Sequence, residues 1–421
     1  NIAGLDNRTL YEQVRKRKIH HMNKKVYLDY ASTTPTDPQI LQEMLPYFRS
    51  EYGNPSSMHT SGRQAKTVIE GARKRIAECI NANPDEIIFT GSGTESDNMA
   101  IKGIARANKS KGNHIIVSSV EHKAVLESAK QLEKEGFEIS ILPTDKFGMI
   151  NIDECLRLIK KETILISVMY ANNEIGTIEP IKELAEAIKK HKDERNKTKN
   201  LMTDDFPLFH TDACQAGGYL SLDVKELGID LMTLNSSKVY GPKGIGLLYK
   251  KSGIKISPII AGGEQEKGLR AGTENIALVF GFGRALQNAQ KTRTIESEKL
   301  RKLQKYFIKK LKEKIPSIML NGHAEHRLPN NVHISIPTVE GESMILMLDK
   351  IGISASTGSA CSTFDLKPSH VLIAIKQNEE IIHGSIRFTF GKHTTKKELD
   401  CVLKEFPPIV KKLSKMSAIR K

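Results

Sequence analysis

The chain has 421 residues, 39% hydrophobic and 27% charged, enough for a large α/β domain with a smaller companion and too apolar for a wholly disordered chain. Lys and Arg (64) outweigh Asp and Glu (49) for a formal net charge of +15, but Trp is absent and no aromatic residues alternate with the basic runs, so the excess reads as solvated helix faces, with no direct nucleic-acid partner expected. Five cysteines without a C-x-x-C pair exclude a disulfide framework and a zinc knuckle, so no metal is expected and a reducing compartment, the cytoplasm, is.

From the start, residues 1–21 lack the apolar stretch of a secretory signal, and Met22 suits a native start, so 1–21 read as an N-terminal extension: an upstream segment, a cloning remnant or a basic presequence. No apolar run approaches the ~20 residues of a membrane span. Seven short apolar runs follow: EIIFT (86–90), HIIVSS (114–119), EISILP (138–143), TILISVMY (163–170), PLFHTDA (207–213), LMTLNS (231–236) and GIGLLYK (244–250). Amphipathic helical periods such as 121–135 and 180–192 separate them. Strands alternating with helices predict a mainly parallel sheet covered on both faces, with functional residues at the carboxyl ends of its strands.

The charged, turn-rich segment 191–206 reads as an exposed loop. A Gly-rich stretch at 261–275 then breaks the rhythm and a long charged helix is predicted over 276–314. Beyond it, LPNNVHISIP (328–337), a helix through 341–352 and HGSIRFTFG (383–391), read as a half-buried strand, form a smaller α+β unit.

Four constellations carry chemistry. In FTGSGTESDNMAIKG (89–103) a strand ends in small residues before a helical period near Glu95, an anion site of backbone N–H groups to which Ser92 or Thr94 can add a hydroxyl; it fits neither nucleotide-binding glycine pattern. LFHTDACQAGG (208–218) delivers Asp212 at a strand end, where a carboxylate can cap a helix, bind a metal or pair with a buried cation; His210 shares its strand face, but one such pair makes no site. In TLNSSKVYGPKGIG (233–246), Gly and Pro fix a tight backbone around Lys238, and a lysine held in a desolvated pocket gains nucleophilic character. Finally, Cys361 is set among Ser, Thr, Gly and Ala in ISASTGSACSTFDLKPSH (353–370), as an exposed nucleophile would be, whereas Cys79, Cys155, Cys214 and Cys401 read as inert structural thiols.

Together with LDYASTTP (28–35), YGNPSSMH (52–59), EHKAV (121–125), NNEIGTI (172–178) and GLRAGTEN (268–275), these motifs closely resemble the pyridoxal-phosphate-dependent cysteine desulfurases of the class-V aminotransferase group, in family order from about residue 26 to 410. GSACS (358–362) resembles the NifS/IscS-like group I. The resemblance implies an α/β fold of PLP fold type I, with a seven-stranded, mainly parallel sheet in a large domain over 36–285 and a small domain made of 22–35 with 286–421.

It also implies roles. Lys238 resembles the lysine that holds pyridoxal 5'-phosphate, Asp212 the partner of its ring nitrogen, and His122 the imidazole that stacks on the ring. Gln215 and Asn173 would hydrogen-bond its phenolic oxygen and nearby groups. Gly93, Thr94 and Ser237 would cradle the phosphate, joined by Thr273 from a second subunit, which implies a homodimer. Arg387 would grip the substrate carboxylate, helped by Asn173. Where the family pattern has a histidine just before the lysine and a serine two residues further back, this chain has Ser237 and Asn235. The activity implied is conversion of L-cysteine to L-alanine with a persulfide on Cys361, passed to a sulfur acceptor such as an iron–sulfur scaffold or a tRNA-thiolation enzyme. A selenocysteine lyase, another pyridoxal-phosphate-dependent β-elimination enzyme or an aminotransferase of the same fold is the alternative, and the thiol in its small-residue loop, which a transaminase does not need, weighs against it.

Overall fold

The computed structural model describes residues 25–199, 206–357 and 368–416; the expectations for residues 1–21 and for Cys361 lie outside them. In chain order the strands are β1 (Val26–Tyr27), β2 (Ile87–Thr90), β3 (His114–Ser118), β4 (Glu138–Leu142), β5 (Thr163–Ser167), β6 (Leu208–Asp212), β7 (Leu231–Asn235), β8 (Gly246–Lys250), β9 (Met319–Leu320), β10 (Asn331–Ser335), β11 (Ile353–Ser354) and β12 (Ser385–Thr389). The helices used below are α1 (Pro38–Arg49), α2 (Thr60–Ile80), α3 (Gly93–Asn98), α4 (Lys123–Glu133), α5 (Ile181–Lys199), α6 (Ile276–Lys314), α7 (Gly341–Asp349) and α8 (Lys396–Met416).

All seven apolar runs become strands of one sheet in the order β2-β8-β7-β6-β5-β3-β4. Only β8 runs against its neighbours. Successive side chains of these strands point to opposite faces. On one face Phe89, Ile116, Ile166, Phe209, Met232 and Leu247 meet Ile69, Ile76 and Phe282 from α2 and α6. On the other, Ile88, Ile115, Leu165, Leu208, Leu231 and Leu248 meet Ile101, Val125 and Leu132. Both faces are therefore covered except along the edge strand β4, where Ile141 is exposed, which is why the inner runs read as nearly continuous apolar residues.

A second core lies around the antiparallel sheet β12-β10-β9. Phe307 of α6 stands edge-on to Phe388 and Phe390 with ring centroids 5.4 and 5.7 Å apart, and Met344 of α7 and Phe406 of α8 close the cluster. Val26 and Leu28 belong to this core, because β1 pairs in parallel with β11. Helix α6, about 58 Å long at 1.5 Å per residue, runs from Phe282 in the first core to Leu311 in the second.

Two expectations are corrected. Residues 191–199 are not loop: they extend α5 to Lys199. Their Lys, Glu and Arg residues are good helix formers, and Lys192 Nζ and Arg195 Nη2 donate to the carbonyls of Pro207 and Phe206 at 3.2 and 2.5 Å, tying the helix to the start of β6. The remainder of that predicted loop, 200–205, falls outside the described residues. Strand β12 is buried throughout, not half-buried: Ser385 and Arg387 look polar, but the Arg387 side chain is taken up by Asp29, Ser32 and Asn173, and Ser356 pairs along the strand's edge.

Candidate active site

Chain segments that follow the carboxyl ends of β2, β3, β5, β6 and β7 converge on a cavity of about 270 Å³. Gly93, Thr94, His122, Asn173, Asp212, Gln215, Lys238 and Arg387 all line it, so eight of the predicted site residues are brought together.

Gly93 and Thr94 open α3. Ser92, offered above as an anion donor, is instead the helix cap: its Oγ accepts the Glu95 N–H at 3.1 Å. Glycine at 93 follows from close approach, since a Cβ there would lie 2.9 Å from Cys214 Sγ. Asp212 ends β6, and its Oδ1 accepts the Cys214 N–H at 2.9 Å. Gln215, one turn on, donates from Nε2 to the Ala31 carbonyl at 3.0 Å. His122 caps α4, its Nδ1 accepting the Ala124 N–H at 3.1 Å.

Lys238 follows β7 in a tight turn, Ser236–Lys238. A Cβ on Gly241 would fall 2.1 Å from Ser236 Oγ, so the turn closes only with glycine there. The segment 28–35 wraps this turn: Thr34 donates its N–H and Oγ1 to the Ser237 carbonyl at 2.9 and 3.0 Å. The Lys238 ammonium donates to the carbonyls of Ala31 and Ser32 at 2.8 and 2.6 Å. Burial, with a smaller contribution from Arg387, lowers its pKa from the usual lysine value, easing release of a proton from Nζ.

Arg387 projects from the covered face of β12. Its Nη1 donates to the Asn173 carbonyl at 2.7 Å, and its Nη2 to Asp29 Oδ1 and Ser32 Oγ, both at 2.9 Å. Its Nε, also buried, has no hydrogen-bond acceptor among the described residues. A fixed guanidinium lining the cavity with an orphaned donor suits a carboxylate.

Two predicted residues stand apart. Ser237 is buried beside the cavity, with its Oγ donating to Asn235 Oδ1 at 3.1 Å; Asn235, not Ser237, is in the wall. Thr273 is exposed and outside the cavity wall of its own chain. Cys214, read as a structural thiol, does line the cavity, and burial pushes its pKa well up, so it stays a neutral thiol. Asp29, Ser32, Asp97 and Asn235 went unassigned although they sit inside quoted motifs. Asp97 follows Thr94 by three residues, a spacing that puts both on one helix face.

The chain flanking Cys361 is tied to the same walls. Ser356 exchanges backbone hydrogen bonds with Arg387. On the far side, Ser369 Oγ donates to Glu174 Oε2 at 2.5 Å and His370 Nε2 lies 2.9 Å from the Glu121 carbonyl, next to His122.

The family model for class-V aminotransferases matches residues 26–402. The chain belongs to this family. Among its relatives, "Cysteine desulfurase IscS" of Dictyoglomus turgidum (strain DSM 6724 / Z-1310) is 49% identical over 396 residues, covering 94% of this chain and 97% of the relative. The protein of that name from Methanosarcina thermophila is 47% identical over 397 residues, covering 94% and 95%. At that identity and coverage, the chain is one of the cysteine desulfurases within the family. Of solved structures, a NifS-like protein matches with a TM-score of 0.85 at 33% identity, covering 93% of this chain and 100% of that one. A NifS-like protein from Rickettsia africae ESF-5 matches with a TM-score of 0.81 at 29% identity, covering 92% and 100%. The seven-stranded, mainly parallel sheet expected from the sequence is the fold they share.

Proposed function

We propose that the protein converts L-cysteine to L-alanine with pyridoxal phosphate in the cavity, and hands the sulfur to an acceptor through a persulfide on Cys361. The observation that carries this is the joint placement of Lys238, Asp212, His122 and Arg387 in one cavity. The cavity fits the cofactor: Gly93 leaves room that a Cβ would fill, Thr94 offers a hydroxyl at the start of α3, Asp212 suits a protonated ring nitrogen, and Lys238 Nζ is held only by carbonyls. When bound, the cofactor supplies an electron sink for charge developing at the substrate α-carbon.

The chain's own groups do the rest. Arg387 grips the substrate carboxylate and is itself aimed by Asp29, Ser32 and Asn173. Lys238 Nζ, its pKa lowered, takes and returns protons at the substrate. The Cys361 thiolate attacks the substrate sulfur: an S–S bond forms, the C–S bond breaks, and its electron pair stays on carbon and takes a proton, giving alanine. The anchors at Ser356 and His370, on Arg387 and beside His122, support delivery of Cys361 to this cavity.

Other readings follow the same line. The two cores support a large domain over 36–285 and a small one from 22–35 with 286–421. A homodimer would give Thr273 a place at the partner's cavity, and the exposed Leu41, Leu45 and Phe48 of α1, with Tyr52 and Met58 beyond it, offer apolar surface for it. Among the described residues no helix is long and apolar enough to cross a membrane, and four cysteines are free thiols, which accords with a cytoplasmic setting. An iron–sulfur scaffold or a tRNA-thiolation enzyme is the acceptor class that suits a protein-bound persulfide.

The test is Cys361→Ser with L-cysteine and a reductant. The variant keeps the visible cofactor band of the wild type yet releases no sulfide; normal turnover would overturn the assignment of the nucleophile.

A further inference from the structure

Asp97 stands on α3, three residues beyond Thr94, with its side chain in the cavity wall and only 1% of the residue exposed. Its Oδ1 has no hydrogen-bond partner among the described residues. His210 Nε2 is 3.9 Å from it, beyond hydrogen-bond range, and the Thr233 hydroxyl, the one neighbour that favours the charged form of Asp97, counts for less than burial and Asp212, which both oppose it. The His210 ring is taken up by hydroxyls, with Nδ1 2.9 Å from Ser167 Oγ and Nε2 3.1 Å from Thr233 Oγ1. Burial lowers its pKa to about 4, so it is neutral and brings no balancing positive charge.

The other titratable groups that act on Asp97 are carboxyls, Asp212 from β6 and Glu121 from the turn after β3. A buried carboxylate with an orphaned oxygen, no cation and the Asp212 carboxylate in the same cavity wall is an expensive arrangement, whereas a neutral acid leaves that oxygen unpartnered at a smaller cost. Asp212 differs in having the Cys214 N–H on its Oδ1. Burial first, then the charge of Asp212, push the Asp97 carboxyl well above the ordinary aspartate range.

We propose that Asp97 is a positioning residue of the cofactor site: it stands as an uncharged carboxylic acid, leaving the negative charge of the Asp97–Asp212 pair on Asp212, opposite the cofactor's ring nitrogen. This rests on the cofactor reading given above. Two carboxyls that share a site and divide their protonation in this way are a recurrent device for keeping one acid neutral at working pH. Here it would leave a single charge in this part of the cavity wall, on Asp212, and the neutral His210 would keep that charge from being cancelled.

The test uses the cofactor-loaded protein and its Asp97→Asn and Asp97→Ala variants. Difference infrared spectroscopy at neutral pH is expected to show a carboxylic-acid C=O stretch in the wild type that Asp97→Asn removes. The pH midpoint of the visible cofactor band should stay within about 0.3 unit in Asp97→Asn, a neutral isostere, and move by about one unit or more in Asp97→Ala, which opens the cavity wall to water. Absence of the acid band, a shift of a unit in Asp97→Asn, or an unmoved midpoint in a folded Asp97→Ala would each overturn the proposal. A wild-type protein without any visible band would instead overturn the cofactor reading beneath it. If Asp97→Ala does not fold, the infrared and midpoint results for Asp97→Asn decide.

Discussion

Arg387→Lys separates charge from geometry at the proposed substrate-carboxylate site. The wild-type guanidinium spends Nη1 on the Asn173 carbonyl and Nη2 on Asp29 and Ser32, and keeps Nε for a further acceptor. A lysine ammonium carries the same charge on one nitrogen at the end of a flexible stem, and the Asp29 carboxylate will capture it. The substrate carboxylate then loses at least one charge-assisted hydrogen bond, a loss of about 2 kcal/mol. That corresponds to about a 30-fold fall in kcat/KM for L-cysteine. Because the lost bond is present throughout the reaction, most of the change belongs in KM. The assay is initial-rate sulfide release against L-cysteine concentration, with the visible cofactor band as a check that the site is intact. A kcat/KM within threefold of wild type, with the band unchanged, would refute the role given to Arg387.

Gly93→Ala forces its new Cβ against Cys214 Sγ and is expected to weaken pyridoxal-phosphate binding about tenfold; Gly93→Ala/Cys214→Ala, which removes the obstructing sulfur, recovers most of it, and equilibrium dialysis that finds no recovery would refute the clash. Glu121 is buried, chiefly by burial its pKa rises from 4.5 to about 8, and so between those values the folded state holds the proton that the unfolded state has lost. Stability therefore falls as pH rises through that window and levels off above it. Glu121→Gln keeps an acceptor for Ser118 and Met169 and should flatten this part of the Tm profile, a result that parallel wild-type and variant profiles would contradict. Phe48→Asp places a charge on the apolar face of α1 and is expected to shift the proposed dimer toward monomer in sedimentation; a wild-type protein already monomeric at micromolar concentration would refute the dimer itself.

The sheet was legible because its physics is local. Each of the seven runs has strand length, all but the edge strand β4 are buried for most of their length, and the intervening helices leave parallel pairing as the economical connection. The positions of Asp212 and Lys238 followed from that pattern, since both sit where a parallel sheet ends and its loops gather. Charged segments were less legible: 191–199 has the composition of a solvated loop, but its residues are good helix formers, and the carbonyls of Phe206 and Pro207 that hold it come from the far side of a connection.

What could not be read were contacts across long sequence separation. Segment 28–35 shows no charge pattern or period that marks it as a clasp, yet Ala31 and Ser32 accept the Lys238 ammonium from more than 200 residues away. Asp29 fixes Arg387 across 358 residues. Polarity also misled where it is satisfied internally: Ser385 and Arg387 made β12 look half-exposed, but Arg387 is only 2% exposed because Asn173, Asp29 and Ser32 take the place of water around it. An alternating strand thus signals two different environments, and only the third dimension tells whether its polar face meets solvent or a site. Here it meets the cavity, and the arginine that looked like the wet side of a strand lines that cavity with a buried donor to spare.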